Sequence, residues 1–150
     1  ADLIVTATPS QHFSGRSLTN RNQTLWAAWS LKWRDFHVWF GGDTGYNATQ
    51  FKETRAKLGP VDLGIIPIGA YKPRSFMGPI HVNPAEAVKI HNDLQAKASM
   101  AIHWGTFMLA AEGALTPVED LRAALNERLD PGSEFSTFAI GESRRYPRHN

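Results

Sequence analysis

Residues 24–33, TLWAAWSLKW, place Leu25, Ala27, Trp29, Leu31 and Trp33 at every second position. A period of two is the mark of a strand with one apolar face, because successive side chains of an extended chain point to opposite sides. Arg34-Asp35 supplies a tight turn, and FHVWF at 36–40 returns as the second strand of a hairpin. Four further runs read as strands: LIVTAT near the start, DLGIIPIGAY at 62–71, SMAIHW at 99–104 and EFSTFAI at 134–140.

The helices are marked by their caps. Asn83-Pro84-Ala85-Glu86 sets an acceptor at the N-cap, proline in the first turn and glutamate three residues on. Ala87, Ile90 and Leu94 then keep helical spacing to about Lys97. Thr116-Pro117-Val118-Glu119 repeats the device ahead of Leu121, Ala124, Leu125 and Leu129. A shorter helix is expected from Ala48 to Leu58, started by Asn47 and stopped by Gly59. Strands and helices are therefore mixed, as in a sheet covered by helices on at least one face.

The length of 150 residues is that of one ordinary domain. With 42% hydrophobic and 20% charged residues there is material for a core, and disorder is excluded as the dominant state. A net charge of +2, with Lys and Arg scattered apart from Arg144, Arg145 and Arg148, gives no nucleic-acid footprint. No apolar run approaches the ~20 residues that span a bilayer, so a soluble chain, cytoplasmic or peripheral to a membrane, is expected. Cysteine is absent, so any metal must be held by imidazole and carboxylate.

Three such groups stand at strand ends. His12 follows LIVTAT, Asp43 follows FHVWF behind Gly41 and Gly42, and His103 closes SMAIH. If the strands share a sheet, the three side chains can converge on one edge, and His/Asp is a zinc-type ligand set. Each residue also has an ordinary reading. Asp-Thr-Gly is a good turn, His12 a loop residue and His103 a satisfied strand-end histidine. His81 lies in a Gly/Pro loop before a capped helix, a position suited to a site residue. His91 is read as helix packing, His37 as a strand residue and His149 as part of the tail.

The segments PSQHFSGR, LWAAWS, FGGDTGY, GPVDLGIIPIGAYKPRSFM, HVNPAEAVKIHNDLQAKASMAIHWGTF and GESR run in this order. Together they resemble the C-terminal half of the N-acyl-phosphatidylethanolamine-hydrolysing phospholipase D family, in the metallo-β-lactamase superfamily. The resemblance implies an α+β fold, the αββα sandwich, of which residues 1–150 would form the C-terminal half of a single domain. It implies phosphodiester hydrolysis of an N-acylated phospholipid at a centre of two Zn2+ ions. His12 would match a zinc ligand, Asp43 the bridging aspartate and His103 the ligand completing the second site. His81 would match a histidine near the scissile phosphate. Tyr71, Lys72 and Arg74, in GAYKPR, would lie at the mouth as substrate contacts or as ordinary loop residues.

The superfamily signature H-x-H-x-D-H is not found, since no two histidines here are two residues apart. The expected partner is therefore an upstream half carrying that signature, or a second copy of this chain, and the chain alone should bind zinc weakly or not at all. A lactonase or nuclease on the same metal frame, or a non-catalytic half-domain, are the competing readings.

Overall fold

The computed structural model describes residues 2–128, 130 and 132–146. Its frame is one six-stranded sheet in sequence order: β1 (Leu3–Thr8), β2 (Ala28–Trp33), β3 (Phe36–Phe40), β4 (Leu63–Pro67), β5 (Ala98–Ile102) and β6 (Glu134–Ser136). The first three strands are antiparallel neighbours, and the pairs from β3 onward are parallel. The hairpin of β2 and β3 turns at Arg34-Asp35, where Arg34 takes a φ of 58°. β2 begins at Ala28, so Leu25 and Ala27 precede the strand, and β6 ends at Ser136 before the expected Ile140.

The parallel crossovers carry α1 (Gln50–Leu58), α2 (Arg74–Met77), α3 (Pro84–Asp93) and α4 (Thr116–Arg128). From β3 to β6 each crossover steps the same way across the sheet. Right-handed connections stepping one way put all their helices on one face, and α3 does pack against α1, α4 and β4. The local signals are those read from the chain. Asn83 and Glu86 form a reciprocal capping box at α3, and the Asn47 side chain accepts from the Thr49 and Gln50 backbone amides at the start of α1. Gly59 ends α1 with a φ of 82°. The one-turn α2 had no sequence signal.

The core lies between helices and sheet. Trp39, Phe51, Ile66, Val88, Ile90, Leu94 and Leu121 are buried there, with Trp39 edge-on to Phe51 and its indole nitrogen donating to Thr8 Oγ1 at 3.1 Å. β2 contributes its polar alternation to this covered side. Ser30 is buried and bonds His37 Nε2 at 2.7 Å, while His37 Nδ1 donates to the Pro60 carbonyl at 2.9 Å. The apolar alternation points away from the helices. With Leu3 and Val5 of β1, Trp29, Leu31 and Trp33 of β2 and Phe36, Val38 and Phe40 of β3 share this second face by register. Leu3, Val5, Trp29, Trp33 and Phe40 are exposed on it. His91 is core packing, bonded to Ser99 and stacked on Phe135, whereas His149 lies outside the described residues.

Candidate metal centre

β1 is antiparallel to β2, which is antiparallel to β3, so β1, β3, β4 and β5 all end at one edge of the sheet. His12, Asp43 and His103 follow three of those ends, and the structure brings them together. Asp43 Oδ2 lies 3.9 Å from His12 Nε2, and Oδ1 lies 3.3 Å from His103 Nε2. His81 joins them: its ring is edge-on to His12 at 5.1 Å and stacked on His103 at 5.3 Å between centroids.

The GGDTG turn explains how Asp43 is aimed. Gly42 takes a left-handed φ of 56°, and Gly41 leaves room for the Trp39 ring, which a Cβ there would meet at 2.9 Å. Thr44 is fully buried and knits three loops together. Its hydroxyl accepts from the Gln11 amide at 3.0 Å and its carbonyl from the Val82 amide at 2.9 Å. Ser10 Oγ donates to the Asp43 carbonyl at 2.7 Å. A Cβ at position 45 would lie 2.5 Å from the Pro79 carbonyl oxygen, so only glycine lets the His81 loop approach so closely. Asp43 is thus a turn residue and, at the same time, a carboxylate held between two imidazoles.

The donor set fits a metal cation. His12 Nδ1 lies 2.9 Å from the Phe13 carbonyl, which can only accept, so the proton sits on Nδ1 and Nε2 presents its lone pair to Asp43. Both His12 Nε2 and His81 Nδ1 are buried without a hydrogen-bond partner. Donor atoms of His12, Asp43 and His81 all lie within 4.8 Å of one another. Three protein ligands with an open position is the arrangement of catalytic zinc sites. Burial, aided by the neighbouring His103 and His12 and opposed by Asp43, pushes His81 down to about 4. A neutral imidazole at ordinary pH is the form that ligates a cation or donates a neutral hydrogen bond.

These residues line a cleft of about 590 Å³ whose other walls include Phe13, Phe76, Met77, Ile80, Leu109 and Arg21. Phe76 and Leu109 are exposed, as are Phe107 and Met108 beside Leu109 in the chain.

Tyr71, Lys72 and Arg74 are placed elsewhere. They line a separate groove along α4, and only Ala70 of the GAYKPR loop reaches the metal cleft. Tyr71 is 3% exposed because its hydroxyl donates to Asp120 at 2.6 Å, and burial raises its pKa strongly. The Arg74 guanidinium turns inward, donating to the His81 carbonyl and to Glu86 of the capping box, both at 2.7 Å. Arg74 therefore fixes the backbone that carries His81. Glu112 escaped the sequence reading. Its buried carboxylate accepts from the Tyr71 and Lys72 amides at 3.1 and 3.0 Å, pinning the loop after β5 to the loop after β4. A lone acid in FMLAAEGAL was the available signal.

Residues 1–104 match the family described as the Beta-lactamase superfamily domain, and the chain belongs to that superfamily. It is 42% identical over 136 residues to N-acyl-phosphatidylethanolamine-hydrolyzing phospholipase D 1 of Caenorhabditis elegans, covering 89% of this chain and 38% of that protein. Against the mitochondrial N-acyl-phosphatidylethanolamine-hydrolyzing phospholipase D of Saccharomyces cerevisiae, identity is 40%, covering 78% of this chain and 25% of the relative. The chain thus spans less than half the length of these relatives. Among solved structures, the metallo hydrolase Igni18 of Ignicoccus hospitalis superposes with a TM-score of 0.64 at 17% identity, over 93% of this chain and 51% of that one. CmlA of Streptomyces venezuelae, a diiron β-hydroxylase, gives 0.58 at 17% identity, over 89% of this chain and 30% of that one. These likenesses establish the metallo-β-lactamase fold and leave the metal open. Among the described residues no helix is long and apolar enough to cross a membrane.

Proposed function

We propose that this chain is part of a metal-dependent hydrolase that cleaves the phosphodiester of N-acyl-phosphatidylethanolamine-like phospholipids. The observation that carries the reading is the convergence of His12, Asp43, His81 and His103 at the base of a cleft with apolar walls and exposed apolar lips. A polar, cation-binding floor under Phe76 and Leu109 suits a substrate with a phosphate and an acyl chain. The 40–42% identity to two phospholipases supports the same reading.

His12, Asp43 and His103 would hold two zinc ions, which would supply a nucleophile at neutral pH and neutralise charge developing on phosphate. Asp43 sits between the two histidines, where its two oxygens face different imidazoles. His81 binds a phosphate or leaving-group oxygen. Its distance from His12 and Asp43 also suits a ligand, and the two roles are separable by experiment. Three or four side chains are too few for two closed ligand shells. A preceding half of the domain, carrying further histidines and packing on the exposed apolar sheet face, completes the site; a second copy of this chain is the other candidate cover.

The test is to assay His81→Ala and Asp43→Asn in the complete protein, measuring zinc by elemental analysis and N-acyl-phosphatidylethanolamine hydrolysis in vesicles. His81→Ala should lose turnover and keep zinc, while Asp43→Asn should lose both. Equal zinc loss in the two variants assigns His81 to the ligand shell. No hydrolysis of this lipid by the zinc-loaded wild type overturns the substrate assignment.

A further inference from the structure

Arg21 lies on the long loop between β1 and β2, exposed at the rim of the metal cleft. Its guanidinium carbon sits 4.1 Å above the centre of the Phe13 ring, and Phe13 in turn stacks on His12 at 4.5 Å with 12° between planes. Among the described residues no acidic side chain pairs with it. A guanidinium held over an aromatic face still has N–H groups to offer, in the fork geometry that fits a carboxylate or phosphate.

The loop is built to hold it there. On one side of Arg21, the Asn20 side chain accepts from the Arg16 and Ser17 amides at 2.9 and 2.8 Å. On the other, the Asn22 amide donates to the Ser14 carbonyl at 2.7 Å, with Asn22 at a φ of 59°. Ser14 Oγ closes the loop by donating to the Thr24 carbonyl at 2.6 Å. A residue tied down on both sides and paired with no acid is a pre-organised cation, which costs little ordering entropy when an anion arrives.

We infer that Arg21 is a substrate-binding residue that clamps an anionic phosphate oxygen facing the rim of the metal cleft. This rests on the phosphodiester reading above and deepens it by naming where the second charge of recognition lies. The interaction is a charge-assisted, bidentate hydrogen bond, so its loss should weaken binding about tenfold to a hundredfold. It makes no contact with the metal-binding side chains except through the Phe13 stack, so metal content should not depend on it.

The experiment compares Arg21→Ala and Arg21→Lys with wild type in the complete, zinc-loaded protein. Inorganic phosphate is titrated by calorimetry, and KM and kcat for the phospholipid are measured alongside zinc content. Arg21→Ala should weaken phosphate binding and raise KM by about tenfold or more, with kcat within about threefold and zinc unchanged. Arg21→Lys should recover part of the loss, since an ammonium keeps the charge without the fork. Unchanged phosphate affinity in Arg21→Ala overturns the inference, as does a fall in kcat at constant KM. If phosphate affinity falls but the wild type cleaves no phospholipid, the clamp stands and the proposed substrate fails.

Discussion

On the helix-covered face of the sheet Trp39 is 1% exposed, whereas on the opposite face Trp29 and Trp33 are 43% and 44% exposed. The two faces differ both in composition and in cover. Ser30, His37 and Ser99 are buried on the covered face, each bonded to a partner. The uncovered face is the more uniformly apolar across β1, β2 and β3. This bare apolar face is where the second layer proposed above would pack. Burial stabilises by about 25 cal/mol per Å², so a cover removing several hundred Å² would add several kcal/mol.

The comparison is broken most directly in the core. Trp39→Ala should cost about 3–5 kcal/mol in this chain, read from the denaturant midpoint, because it removes a buried indole from contact with Phe51 and Thr8. Trp29→Ala should cost under about 1 kcal/mol in the chain alone and at least about 2 kcal/mol in the complete protein, where a second layer would bury it. Equal, small losses in both contexts would show that nothing covers this face.

Acid should act on the covered face next. Burial pushes His91 down to about 4, from an ordinary value of 6.5. Above pH 6.5 both folded and unfolded states hold it neutral, and between 6.5 and 4 only the unfolded state takes the proton. Stability should therefore fall on acidification through that window, by at most about 1.4 kcal/mol per pH unit from this group. Replacing His91 by Leu should flatten part of the slope; an unchanged slope would assign the effect to His81 or His37, both of which burial also lowers.

A smaller effect is expected at Glu112. Changing it to Gln removes the charge from two backbone hydrogen bonds and should cost about 1–2 kcal/mol. Zinc content of the complete protein should stay level, because Glu112 holds the loop without reaching the cleft. Zinc loss in Glu112→Gln would place the loop in the ligand shell.

The alternation in β2 was legible from Trp29, Leu31 and Trp33, and so were the caps at Asn83 and Gly59 and the strand-end positions of His12, Asp43 and His103. Which face the helices would cover was not. Alternation states that two faces differ, and the handedness of three crossovers decides which is buried. The two readings of GAYKPR could not be separated in sequence for a related reason: a strand-end loop beside a site offers its side chains to either flank, and Asp120 and Glu86 hold Tyr71 and Arg74 on the side away from the cleft. Long-range partners of that kind leave no local pattern.

Asp43, set between His12 and His103, would hold the proposed metal centre together. Elemental analysis of the dialysed complete protein and its Asp43→Asn variant tests it, since a neutral amide is a poor bridge between cations. About two equivalents of zinc are expected in the wild type, as for a two-metal centre, and well under one in the variant. Full zinc retention in a folded Asp43→Asn protein would contradict it.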